Sequence, residues 1–254
     1  MKRALIVFRA VASDTFLSGA RDRLFTLFAV FAFTAVYASV LAGVMAVDQE
    51  ARVLSDMGLL LMELTALAYA LFSASTTLLR EAETKTIYLV FSRPVSRALY
   101  LAGKLAGAFM TTALMLAVMA AMHLALLKMR GFGVPAGYGW ALAGSFLKIA
   151  VITSFAVFVS LFSTSSVSTL VISAIMWTLG HFAPEAGFLA ERAGGLRAAL
   201  LKTALLFIPN LQLLNARDTS GAPAALPAAA LLPAAAWVLA CYLGSLWLLR
   251  RKEF

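Results

Sequence analysis

The sequence predicts an all-α protein that crosses a membrane six times. Three observations predict it. Of the 254 residues, 62% are hydrophobic and 13% are charged, about half the charge of a soluble domain. The apolar residues fall into six long runs, most of them near the ~20 residues that carry a helix across the hydrocarbon layer. The basic residues gather at the ends of those runs rather than inside them. Together these features describe a single polytopic domain.

The elements follow in order. Residues 1–23 carry Lys2, Arg3, Arg9, Arg21 and Arg23. The apolar stretch 4–8 is too short for a cleaved signal core and is cut by Arg9, so the segment is expected to be a helix lying in the membrane interface. The six spans are placed at 24–47, 57–79, 105–127, 140–162, 167–182 and 228–249. A short acidic turn with Asp48, Glu50 and Asp56 separates the first two. A turn with several glycines and Pro135 precedes span four, which opens on Tyr138 and Trp140, aromatics of the kind that sit at headgroup level. The polar turn 163–168 leads into span five. Region 183–227 holds an amphipathic piece broken by Pro209. Its apolar runs are too short to cross, which predicts re-entrant or interfacial helices before span six.

Six spans put both termini on one side. The N-terminal segment holds five Lys or Arg, the 80–104 loop five and the C-terminus three, against seven on the opposite side. The richer side is expected to be cytoplasmic, leaving 183–227 external. The net charge of +9 is therefore accounted for at span ends. There it orients the chain and meets anionic lipid, with no nucleic-acid partner implied. The one cysteine, Cys241, lies in an apolar run and supports neither a disulfide framework nor a metal cluster.

The 80–104 stretch is the longest charged interruption in the first half of the chain. From Arg80 to Phe91 it has no Gly or Pro, and Glu81 stands four residues before Lys85, which predicts a helix. The apolar run 87–91 lies outside any span, as an interface does. Pro94 biases Arg93 out of the helical region, so the helix should stop near Ser92. Ser96 is placed to cap the next helix.

The stretch 58–107 resembles the permease subunits of ABC-2 type transporters. The resemblance is carried by Glu81, Glu83 and Thr84, by the Ser-Arg-Pro-x-Ser-Arg block at 92–97, and by Gly-Lys-x-x-Gly from Gly103 to Gly107. The six-span layout extends the likeness over nearly the whole chain. The resemblance implies that the loop between spans two and three holds a cytoplasmic coupling helix seated on a separate ATPase subunit. Glu81, Glu83, Thr84, Arg93, Pro94, Ser96 and Arg97 match that loop. It further implies two permeases working with two ATPases that bind ATP and Mg, as an exporter in the inner membrane. The chain itself has no G-x-x-x-x-G-K-[ST] phosphate loop. Nucleotide would therefore belong to the partner, and the chain would have no catalytic site of its own.

Several residues carry chemistry of their own. Gly103 and Gly107 form a G-x-x-x-G continued by Thr111, a pattern that lets another helix approach closely. Glu63 lies inside span two near its external end, a functional candidate by default but close enough to the interface to be solvated. Lys148, one third into span four, is expected to snorkel outward. His123 and His181 have no acidic or thiol residue at metal-ligand spacing. An intramembrane enzyme would need Glu63, His123 and His181 to converge, and their spacing gives no reason to expect it. A secondary transporter driven by an ion gradient would show repeated halves and buried acids, and neither is evident in the sequence.

Overall fold

A computed structural model describes residues 2–45, 49–86, 92, 95–216 and 228–251. Among them every regular element is a helix. Helix α1 is Lys2–Arg21, α2 Arg23–Met45, α3 Glu50–Glu83, α4 Arg97–Met129, α5 Tyr138–Ser160, α6 Ser166–His181, α7 Ala183–Arg192, α8 Gly195–Leu206 and α9 Ala228–Arg251, with a 3₁₀ turn at Gln212–Leu214. Five helices are long and apolar enough to cross a membrane, or six if the bent pair α6–α7 counts as one span.

Helix α3 begins at Glu50, inside what the sequence suggested was an acidic turn. Residues 50–56 contain no Gly or Pro, and Glu50 suits the positive end of a helix. Arg52 and Asp56 pair at i,i+4, 3.8 Å apart. With 34 residues, α3 is about 51 Å long, and α4 is nearly as long, so both exceed the ~30 Å hydrocarbon layer. The core forms where α3, α4 and α5 pack together, around Met62, Leu101, Met115, Met119, Ile149 and Ile152.

Loop chemistry sets the remaining boundaries. Gly131 and Gly137 take positive φ between α4 and α5, where an L side chain would be strained. Ser165 Oγ accepts from the Val167 backbone N–H and opens α6. Helix α6 has 16 residues and meets α7 at 57°. Tyr138 is buried, not at the surface, because its hydroxyl meets His123 Nδ1 at 2.9 Å, whereas Trp140 is exposed as expected. Region 183–216 forms α7, α8 and a turn that comes back to the bundle, where the Leu211 backbone N–H donates to Gly180 O.

Helix α1 does not lie apart from the bundle. It packs along the first half of α4, in parallel, in the most extensive interhelical contact among the described residues. A Cβ added at Gly103 would meet Val11 Cβ at 2.8 Å, and one at Gly107 would meet Thr15 Cβ at 2.5 Å. One at Gly19 would meet Thr111 Oγ1 at 3.0 Å. The G-x-x-x-G therefore serves close helix packing, and its partner is the chain's own first helix.

Candidate functional site: the start of α4 and a buried charge pair

The first turns of α4 are tied to three other helices. Ser96 Oγ accepts from the Leu99 N–H at 3.3 Å, the cap its position suggested. Arg97 Nη1 donates to Leu249 O at 2.7 Å and to Arg250 O at 2.9 Å. A cation there satisfies carbonyls left over at the end of α9. Tyr242 of α9 donates to Ala98 O at 3.1 Å. Tyr100 Oη and Lys104 Nζ both donate to the Glu81 carboxylate of α3. Gly103 and Gly107 receive α1, and Tyr69 of α3 donates to Gly19 O at the end of α1. One short stretch thus joins α1, α3 and α9.

The approach to this joint differs from the expected helix. Helix α3 runs unbroken from the span through Glu83, and Lys85 then takes φ +58. The break falls at Thr84–Lys85 although no Gly or Pro stands there. Thr84 Oγ1 contributes by bonding back to Arg80 O at 2.7 Å and lying 3.0 Å from the Thr86 hydroxyl. Glu81 meets Tyr100 and Lys104 rather than the Lys85 that its spacing suggested. Glu83 and Thr84 are exposed. Residues 87–91, Arg93 and Pro94, the expected coupling helix and its break, lie outside the described residues. A polar cavity of about 200 Å³, lined by Asp14, Ser18, Asp22, Thr77, Arg80 and Lys104 among others, lies between α1, α3 and α4. The joint is hydrophilic on that side.

Farther along the bundle, Glu63 and Lys148 form a second centre. Lys148 Nζ donates to Glu63 Oε1 at 2.7 Å, and both side chains are 1% exposed. Ser145 Oγ donates to Glu63 Oε2 at 2.6 Å. Asn215, on the returning segment, accepts from Lys148 at 3.4 Å. His181 Nε2 stands 3.9 Å from Glu63 Oε1. This corrects two expectations: Lys148 does not snorkel and Glu63 is not solvated. The reason is mutual. Each charge supplies the partner that makes burial of the other tolerable. Glu63 and His181 do converge, whereas His123 lies elsewhere, against Leu54 O at 3.3 Å and beneath Gly58. The one legible signal was a lone acid and a lone base at comparable depth in different spans.

Chemically the carboxylate is the centre of the group. Ser145 donates a hydrogen bond to the carboxylate, and the Lys148 ammonium is engaged by the same group. Among the described residues no three His, Cys, Asp or Glu side chains are placed to hold a metal ion. No protein-family model matches the chain, and no curated protein matches it in sequence.

Proposed function

We propose that this chain is the membrane-spanning permease subunit of an ATP-driven transporter, an exporter powered by a separate ATPase. The observation that carries the reading is the joint at the start of α4. A push delivered to residues 84–96 enters a point bonded to α3 through Glu81, to α1 through Gly103 and Gly107, and to α9 through Arg97. Such a joint turns a local displacement into movement of four helices together, because packed interfaces shift as units. Glu83 and Thr84, exposed beside it, are the described residues best placed to meet the partner. Arg93, Pro94 and Ser96 complete the proposed contact, while Glu81 and Arg97 act inside the chain and transmit it.

In this reading the 80–104 loop and both termini are cytoplasmic and region 183–227 is external. The setting is the inner membrane of the cell. The working unit is two permeases, copies or relatives, with two ATPases that hold ATP and Mg. The test is purification in mild detergent, with an ATPase expected to co-purify. Glu83→Arg combined with Arg93→Glu should release that ATPase while leaving the permease folded. A fully active complex carrying both changes overturns the reading.

A second reading, a transporter driven by an ion gradient, gains support from one observation, the buried Glu63–Lys148 pair with His181 beside it. The two separate in sealed vesicles. Uptake that needs ATP and survives collapse of the proton gradient supports the first. Uptake that needs the gradient and no ATP supports the second.

A further inference from the structure

Helix α6 is built inside out. Its outward face carries Val167, Val171, Ile175 and Leu179, all exposed, while the face turned into the bundle buries Thr169, Ser173 and Gly180. Thr169, Ser173, Trp177 and His181 recur every four residues. They form one stripe about 18 Å long that ends beside Glu63. In a helix surrounded by lipid, polar groups turned inward mark a hydrophilic route.

Three buried polar atoms along this line have no hydrogen-bond partner among the described residues: Ser173 Oγ, Trp177 Nε1 and Asn210 Oδ1. Asn210 belongs to the segment packed on Gly180, where Pro209 O and Leu211 close in. Thr169 at the start of the stripe donates to Ser165 O at 3.2 Å, while Thr153 Oγ1 of α5 shares the unpartnered state of Ser173 among the described residues. The hydroxyls of Thr65, Thr111, Ser154 and Ser245 each donate to the carbonyl four residues earlier. Ser173, equally buried, does not. A donor and acceptor hydroxyl, an indole N–H donor and an amide oxygen acceptor on one seam suit water, which supplies both functions. At the end of the stripe His181 Nδ1 lies 3.0 Å from Trp177 O. A carbonyl only accepts, so Nδ1 carries the proton and Nε2, in the neutral ring, presents its lone pair toward Glu63.

We propose that this face of α6 carries a file of water from the Thr169 end of the bundle to Glu63, giving the buried charge pair a proton path. Lys148 from α5 and His181 from α6 face Glu63 directly. From α4, His123 stands against Leu54 and Gly58 of α3, and α2 carries only Arg23 and Tyr37 as charged or titratable groups. The inference is independent of the ATPase reading.

Cysteine accessibility in the full-length chain tests it, in native membranes and on a Cys241→Ala background. The probe is aminoethyl methanethiosulfonate, which reacts with the hydrated thiolate, and the readout is intact mass. Ser173→Cys and Asn210→Cys should react within about 10-fold of the exposed control Val134→Cys, with Val171→Cys on the outward face about 100-fold slower. Adding Thr169→Leu should slow Ser173→Cys by about 10-fold while sparing Val134→Cys. Labelling of Val134→Cys with neither Ser173→Cys nor Asn210→Cys reacting overturns the proposal. So does labelling of Val171→Cys as fast as Ser173→Cys.

Discussion

Two glutamate–lysine pairs join α3 to its neighbours, and they differ in how deeply they are buried. Glu63 and Lys148 are each 1% exposed, whereas Glu81 and Lys104 are 24% and 9% exposed. The buried pair joins α3 to α5 and is surrounded by Ser145, Asn215 and His181. The other joins α3 to the start of α4 beside a hydrophilic cavity. The same chemistry therefore serves two ends. A fully buried pair is costly to break and holds two helices in one register. A pair at the edge can be remade at modest cost, which suits a place where movement enters the protein.

The largest expected effect breaks the buried pair. Glu63→Ala leaves the Lys148 ammonium buried without its partner and should destabilise the fold by about 3–5 kcal/mol. The fraction of protein remaining monodisperse after heating in detergent measures it. Replacing both charges, Glu63→Leu with Lys148→Met, should recover most of that loss, since the burden lies in an uncompensated charge. Next comes the packing beneath the edge pair. Gly107→Leu drives a side chain into Thr15 Cβ at 2.5 Å and Ala12 O at 2.7 Å. It should cost about 1–3 kcal/mol and free α1, read as faster proteolysis within residues 2–21.

Glu81→Gln sharpens the comparison. It keeps the shape and removes the charge, so stability should fall by only about 1 kcal/mol. In the proposed complex with an ATPase, substrate-coupled ATP turnover should fall far more than stability does. Equal losses in both would make Glu81 a structural residue alone. The smallest effect belongs to a fully wetted pair. Asp56→Ala removes an Arg52 contact whose partners are 60% and 56% exposed. Its expected cost is below about 0.5 kcal/mol, and the thermal midpoint in detergent should barely move.

What could be read in the chain without its structure follows a physical divide. Spans, caps and small-residue packing depend on local spacing, so Ser96 and the Gly103–Gly107 stripe were legible, though not that α1 would occupy the stripe. The Glu63–Lys148 contact joins residues 85 apart. No local pattern encodes it, and each charge alone looked as if it should seek water. Tyr138 failed in the same way, since its partner His123 sits across a turn on another helix. The break at Lys85 was hidden because its left-handed backbone uses a residue that rarely adopts it. Its cause lies partly in Thr84 and in the pull of Tyr100 and Lys104 on Glu81.

Helix α6, at 16 residues, rises only about 24 Å before the chain turns away at Phe182. Where α6 alone faces the hydrocarbon layer, that rise falls short of its ~30 Å, and acyl chains beside it would have to shorten or splay to meet its ends. A bilayer of shorter lipids fits that side without distortion, whereas α3 and α4 are indifferent to the change because they overshoot either thickness. Lipid length is thereby a lever on one side of the molecule, acting where α6 runs beside the buried charges.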